Sequence, residues 1–216
     1  MNFILILNNK IEEHVTGLFA KINAPALIFH NLLHTQNVVK HTKEIAGHYN
    51  VSEEEMLILI TAAWFHDTGH LFTRPQNHEE VGCFIMEKFM ADKINDINSI
   101  SSIEQCIMAT KLPRHPENLL QQIICDADFY HFGTKEFQEN DERALEEHIL
   151  KYGDPDPFQF SKATIKMLED HSFYTNYCKA LLNEQKENNI RTLQMKISET
   201  DKQQCQKINI NLCNKL

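Results

Sequence analysis

Apolar and polar positions recur along most of the chain with the three-and-four spacing of amphipathic helices, and alternating strand-like runs are nearly absent. Capping residues, prolines and polar turns separate the helical segments. The pattern predicts helices over about residues 8–21, 30–49, 52–67, 78–90, 100–111, 117–130, 135–151, 158–170 and 174–197. We therefore predict an all-α fold.

The clearest interruption of this pattern is the segment Gly153-Asp154-Pro155-Asp156-Pro157. Glycine and proline at this density end a helix and start a new one. We expect one domain over residues 1–153, with residues 154–216 as a C-terminal helical extension packed on the same domain. A separate second domain is less favoured, because about sixty residues bury little core. The polar tail after Glu199 is expected to fray.

Composition narrows the classes of function. The chain has 216 residues and a formal net charge of −9, which argues against a broad nucleic-acid surface, because such surfaces need a basic stripe. Small phosphorylated ligands need only a few local cations. None of the six cysteines forms a C-x-x-C pair, which favours a reducing, cytoplasmic compartment. The apolar run from Phe3 to Leu7 is too short to span a membrane, so no membrane segment is expected.

One apolar helix ends in two polar residues. Ser52 and Glu55 form a capping box that opens the helix, and the run from Met56 to Phe65 ends in His66-Asp67. If these two side chains are buried, they cost several kcal/mol unless they are paired or bound to a metal. The alternative is a helix end that reaches water, with His66 near the negative end of the helix dipole. On this pair alone the two interpretations are equally favoured.

Further polar residues lie on helices that precede and follow this pair. His30, His34 and His41 share one face of the predicted helix over residues 30–49, where most histidines are expected to be ordinary surface residues. Asp126 and Asp128 interrupt an apolar helix, where two carboxylates need a cation, a cap or a metal. An exposed polar stripe is the less favoured explanation, because Ile124 and Phe129 flank the pair.

An early histidine, a His-Asp doublet and a late aspartate, each on its own helix, resemble the signature of the HD-domain superfamily of metal-dependent phosphohydrolases. The resemblance covers about residues 28–135. It implies an HD-domain helical bundle and a metal site. The implied metal ligands are His34, His66, Asp67 and Asp128, with Asp126 as the alternative for the last position.

The resemblance also implies a chemistry. Two imidazoles and two carboxylates suit a divalent ion such as Mn, Fe, Co, Ni, Zn or Mg. Such an ion lowers the pKa of a water molecule and neutralises charge on a phosphoryl group. The implied reaction is hydrolysis of a phosphomonoester or phosphodiester bond in a small molecule, with a nucleotide among the candidates. Asp67 would both hold the metal and orient the attacking water.

Other residues near this signature are candidates for supporting roles. Some members of the superfamily bind two metals, and His78 and His115 are the candidates for a second site here. Lys111, Arg114 and His115 form a cationic patch in an acidic chain, with Lys111 ranked first for substrate contact. Arg74 in the loop after the doublet is a further cation. His70 is a candidate proton donor to the leaving group.

Two alternatives to a phosphohydrolase remain. The first is a regulatory module that binds a metal and a nucleotide without turnover. This chain keeps every signature ligand, which favours catalysis. The second is a di-iron oxygenase on the same scaffold, which the incomplete second site disfavours. A homo-oligomer is compatible with the sequence.

Overall fold

The computed structural model describes residues 3–72, 75–94 and 96–213. Within these residues the chain forms nine α-helices and no β-strand, which confirms the all-α prediction. The helices are α1 (Phe3–Lys21), α2 (Leu32–Ala46), α3 (Glu53–Phe65), α4 (His78–Met90), α5 (Ile97–Ala109), α6 (Leu119–Asp128), α7 (Phe137–Tyr152), α8 (Pro157–Asp170) and α9 (Asn176–Cys213). Short 3-10 helices cover Thr68–Leu71, Pro75–Asn77 and Tyr130–Gly133.

The helix boundaries follow local capping chemistry. The capping box predicted for α3 is present, because Ser52 N donates to Glu55 Oε2 over 2.7 Å and Glu55 N donates to Ser52 Oγ over 3.1 Å. Helix α4 has the predicted bounds. Helix α9 does not, because it runs for 38 residues to Cys213 and passes Glu199, where the sequence predicted a frayed tail.

Helix α1 begins at Phe3, which is earlier than the predicted start near residue 8. Leu7, Ile11 and Val15 are buried with helical spacing, whereas Phe3 and Leu5 are exposed. The N-terminal apolar run is thus one end of an amphipathic helix. No helix in the described part of the chain has the length and apolarity needed to cross a membrane.

Helix α3 is the central helix of the first of two compact units, which contains α1 to α6 and residues 173–180. Every residue from Leu57 to Phe65 is buried, and α3 contacts α1, α2, α4, α5 and α6. A helix that is apolar on all sides is buried, with other parts of the protein packed around it. The end of α3, which carries His66-Asp67, therefore lies inside the unit.

The second unit contains residues 131–172 and the part of α9 after Ala180. Phe132 is buried in it, and its ring meets the ring of His171 edge-on at 5.1 Å between centroids. Asn189 Nδ2 donates to the carbonyl oxygens of Phe132 and Thr134, both over 2.9 Å. These hydrogen bonds fasten α9 to the turn that precedes α7.

The interruption seen in the sequence separates α7 from α8. Gly153 ends α7 with a φ of 90°, and the Asp156 side chain accepts from Phe158 N over 2.8 Å to cap α8. The two compact units divide the chain elsewhere, at residue 130 and around residues 173–180. A domain over residues 1–153 with residues 154–216 packed on it stays a prediction.

Candidate metal centre

Three helices of the first unit bring the four predicted ligands together. His34 lies in the first turn of α2, where Asn31 Oδ1 accepts from its backbone N–H over 3.1 Å. His66 and Asp67 follow α3, and Asp128 is the last residue of α6. Because α2, α3 and α6 all contact one another, the start of α2 and the ends of α3 and α6 bring these side chains close together.

The spacing of the ligand atoms suits one metal ion. His34 Nε2 lies 3.2 Å from Asp67 Oδ2 and 3.1 Å from Asp128 Oδ1. His66 Nε2 lies 3.2 Å from Asp67 Oδ2 and 3.7 Å from Asp128 Oδ1. Ligands that are about 2.0–2.2 Å from a metal lie about 2.8–3.6 Å apart at octahedral and tetrahedral angles. The cluster therefore needs little movement to bind a divalent ion.

Burial and hydrogen bonding also fit a metal. His66 is 0% exposed, and neither its Nε2 nor Asp67 Oδ2 makes a hydrogen bond of regular geometry, although the two atoms lie 3.2 Å apart. Buried polar atoms of this kind are costly unless something binds them. His66 Nδ1 lies 2.9 Å from the carbonyl oxygen of Ala63, which can only accept a hydrogen bond. Nδ1 therefore carries the proton in neutral His66, and Nε2 presents its lone pair to the cluster.

The cluster is electrostatically coupled. Burial by itself lowers the pKa of His34, but the adjacent carboxylates of Asp128 and Asp67 outweigh it and raise that pKa to about 9. Burial opposes the shifts at Asp67 and Asp128 as well, yet their cationic neighbours hold both carboxyl pKa values well below the usual range. The histidines and the carboxylates thus favour each other's charged forms, and a bound divalent cation would take the place of protons in balancing the carboxylates.

Arg114 fixes the orientation of Asp128. Its Nη2 forms an ion pair with Asp128 Oδ2, and its Nη1 and Nε donate to the carbonyl oxygens of Cys125 and Thr110, each over 2.9 Å. The guanidinium also lies over the Phe129 ring, 3.5 Å from the centroid. The sequence placed Arg114 in a cationic patch for substrate. The structure instead directs its donors to the protein.

Asp126 is turned away from the cluster. Its carboxylate accepts from the backbone N–H groups of Tyr174 and Thr175, both over 2.8 Å, and from Thr175 Oγ1 over 2.6 Å. Residues two apart on a helix point about 200° apart, so Asp126 and Asp128 cannot both face the same site. Of the two candidates for the last ligand, the structure brings Asp128 to His34 and His66.

A cavity of about 420 Å³ adjoins the cluster. Asp67 and Asp128 line it, together with His30, His70, His78, Lys111 and Arg114. Lys111 forms an ion pair with Glu80. His70 Nε2 lies 3.9 Å from Asp67 Oδ1, and His78 Nε2 lies 3.5 Å from the same oxygen. Of the candidates for catalysis, His70 thus lies beside Asp67, and Lys111 lines the same cavity.

One candidate is not brought to the cluster. His115 is exposed and does not line the cavity, because its neighbour Arg114 is the residue of this loop that turns inward. This corrects the expectation that His115 contributes to a second metal site. Arg74 lies outside the described residues.

Two glycines allow the segment after the doublet to approach α4. A Cβ atom on Gly69 would overlap the backbone carbonyl of His78, and one on Gly82 would lie 2.7 Å from the carbonyl oxygen of Phe65. Only glycine permits such close backbone contact. These two contacts hold the start of α4, with His78, against the end of α3.

Sequence reasoning did not single out His30 among the histidines of this segment, most of which were expected to be ordinary surface residues. It lies before α2 begins, so helical spacing gives no information about its direction. In the structure one ligand atom each of His30, Asp67 and His70 lie within 4.8 Å of one another. The preceding residue Phe29, whose ring is 4.8 Å from that of His34, also lines the cavity.

One comparison with known proteins gives a match over the segment that carries the cluster. The family model for the HD domain matches residues 31–133. These residues form an HD domain. They contain all four clustered ligands, and the family implies binding of a divalent metal and suggests a metal-dependent phosphohydrolase. No match was found among the curated proteins or the solved structures.

Proposed function

We propose that this HD domain hydrolyses a phosphomonoester or phosphodiester bond of a small molecule, with nucleotides as the first substrates to test. The observation that carries the proposal is the buried cluster of His34, His66, Asp67 and Asp128 beside a cavity of about 420 Å³. A cavity of this volume is in the range of small-molecule sites.

The ligand residues have distinct roles in this proposal. His34, His66 and Asp128 would hold the ion, and Asp67 would hold it through Oδ2. When it is bound, the divalent ion supplies a water molecule of lowered pKa and neutralises charge on the phosphoryl group. Asp67 Oδ1, which faces His78 and His70, would orient the attacking water.

Two cavity residues would act on the substrate. His70 is 8% exposed and lines the cavity, so it would donate a proton to the leaving group. Lys111 would contact the substrate phosphate as a point charge. Because Lys111 is ion-paired with Glu80, an anionic substrate would compete with that carboxylate for the lysine.

The test is phosphate release by metal-stripped protein that has been reloaded in turn with Mn, Co, Ni, Zn, Mg and Fe. The substrate panel contains nucleotides and simple phosphomonoesters and phosphodiesters. We expect metal-dependent release that is lost in Asp67→Ala. The matched control is Asp92→Ala, which makes the same change at a side chain that is 82% exposed and should keep wild-type activity.

Other outcomes separate the alternatives. Bound metal with no release from any substrate would contradict hydrolysis and favour a binding module without turnover. Consumption of dioxygen by the iron-loaded protein would favour an oxygenase. Near wild-type hydrolysis by Asp67→Ala would show that the cluster is not the active centre.

A further inference from the structure

Part of the wall of the cavity beside the cluster is apolar. The side chains of Phe29, Leu112 and Phe129 line the cavity together with the polar residues already described. The ring centroid of Phe29 lies 4.8 Å from that of His34, so this apolar surface begins beside the candidate metal centre. Leu112 is 61% exposed. A single exposed leucine is normal on a protein surface, but apolar side chains that line one cavity are typical of a small-molecule site.

The turn that carries Leu112 is fixed by hydrogen bonds on both sides of this residue. Lys111 N donates to Met108 O over 3.2 Å, which connects the turn to the end of α5. Arg114 Nε donates to Thr110 O over 2.9 Å and closes the turn around Leu112. Because the backbone is already held, a ligand that packs on Leu112 orders little further chain when it binds.

The charges of the cavity match one phosphoryl group. Among the described residues that line it, carboxylates outnumber lysine and arginine, and these charged residues are Asp67, Glu79, Asp128, Lys111 and Arg114. The two cations already form ion pairs, Arg114 with Asp128 and Lys111 with Glu80. A divalent ion adds two positive charges, which balance a phosphoryl dianion of about two negative charges. A di- or triphosphate carries more negative charge than these described groups balance.

We propose that the cavity binds a phosphomonoester whose single phosphoryl group lies at the metal centre and whose apolar group packs on Leu112 and Phe29. This inference rests on the proposed function, because it names the class of substrate for the same site. An aryl phosphate and a nucleoside monophosphate both present an apolar ring. Glycerol phosphate has no such group, and a nucleoside triphosphate carries too much charge. Leu112 is then a specificity-determining residue.

The first experiment measures binding without turnover. Benzylphosphonate and methylphosphonate have the same head group, which cannot be hydrolysed, and differ by one phenyl ring. Both are titrated by calorimetry into the full chain loaded with Mn²⁺. We expect benzylphosphonate to bind at least about tenfold more tightly, with a more negative heat-capacity change, which is the mark of buried apolar surface.

Leu112→Ala tests the residue that carries the proposal. It should weaken binding of benzylphosphonate about tenfold and weaken that of methylphosphonate much less, because it removes apolar contact alone. The matched control is Leu150→Ala. Leu150 on α7 is 56% exposed and does not line the cavity, so both affinities should equal those of the wild type. Circular dichroism establishes that each variant is folded.

The second experiment compares ester cleavage, measured by chromatography of the products. The substrates are adenosine monophosphate, adenosine triphosphate, 1-naphthyl phosphate and glycerol 2-phosphate. We expect kcat/KM for the better of the two ring-bearing monoesters to exceed that for glycerol 2-phosphate and adenosine triphosphate at least about tenfold, and Leu112→Ala to reduce this ratio. Whichever ring-bearing monoester is cleaved faster shows whether a nucleobase or a simple aryl group occupies the apolar wall.

The two experiments separate this inference from the proposed function. Equal affinity of the wild type for the two phosphonates overturns the apolar site, and so does a preference that Leu112→Ala leaves intact. Faster cleavage of adenosine triphosphate than of adenosine monophosphate overturns the restriction to one phosphoryl group. If no ester is cleaved but the preference for benzylphosphonate depends on Leu112, the proposed function is overturned and the apolar binding site stands.

Discussion

Two aspartates on α6 are only two residues apart, yet each belongs to a different region of the first unit. Asp126 is 0% exposed and faces the chain segment that leads into α9, where Tyr174 and Thr175 donate to its carboxylate. Asp128 is 9% exposed and faces the histidine cluster. One face of α6 thus binds the segment that leads into α9, and the opposite face contributes to the candidate metal centre.

The partners of the two carboxylates explain this difference. Asp126 is bound by neutral donors of the protein, so it needs no ion. Asp128 lies against two imidazoles, and Arg114 holds it in place. A buried carboxylate that is ringed by protein N–H groups is typical of a structural cap, whereas one beside histidines is typical of a metal ligand. The same substitution at both positions tests this distinction.

Asp128→Asn has the largest expected effect. Asparagine keeps an oxygen for Arg114 but removes the negative charge that a metal requires. We expect metal affinity to fall by at least about 10–100-fold, the range seen for loss of weaker outer contacts, and hydrolysis to fall with it. Calorimetric metal titration and phosphate release measure the two effects. Unchanged metal affinity would remove Asp128 from the ligand set.

Asp126→Asn should give the opposite result. The amide nitrogen would face a backbone N–H or the Thr175 hydroxyl, so one buried donor loses its acceptor. We expect the free energy of unfolding in urea to fall by about 1–3 kcal/mol, while the folded protein binds metal as the wild type does. If the folded variant bound metal more weakly than the wild type, the separation of the two faces of α6 would be wrong.

Arg114→Lys sharpens the comparison of Asp126 with Asp128, because Arg114 contacts the surroundings of both aspartates. Its side chain holds Asp128, and its carbonyl oxygen accepts from Tyr174 Oη over 3.2 Å. Lysine keeps the charge and the backbone carbonyl but loses the planar fork. We expect metal affinity to fall about tenfold with a smaller loss of stability. A variant with wild-type metal affinity would show that Arg114 does not position Asp128.

Much of the candidate metal centre could be predicted because its signals are local. The capping box at Ser52 and Glu55, the apolar run of α3 and the doublet that ends it all lie within one short segment. The run predicts a buried helix, and a buried helix places the doublet inside the protein. The order of His34, the doublet and Asp128 along the chain then indicated the HD-domain superfamily.

The remaining features depend on contacts between distant segments. Asp126 and Asp128 have similar apolar neighbours, and the donors that distinguish them come from Tyr174 and Thr175, far along the chain. Arg114 was assigned to substrate because a sequence does not show that its guanidinium meets Asp128 and two carbonyls. His30 precedes its helix, so no periodic pattern gives its direction.

Thr175→Val has the smallest expected effect and isolates one contact on the structural face. It removes the hydroxyl that donates to Asp126 Oδ2 and accepts from Cys178 N, but it keeps the backbone N–H bond to Asp126. We expect the free energy of unfolding to fall by about 1 kcal/mol. Urea unfolding of the metal-free protein gives this value.

Thr192→Val is the matched control for this change. Thr192 is exposed on α9 and its hydroxyl donates to Asn188 O within the same helix, so stability should change by no more than about 0.5 kcal/mol. Metal affinity should be the same in both variants and the wild type. A fall in metal affinity in Thr175→Val alone would mean that Asp126 transmits its hydrogen bonding through α6 to Asp128, and the two faces would then be energetically coupled.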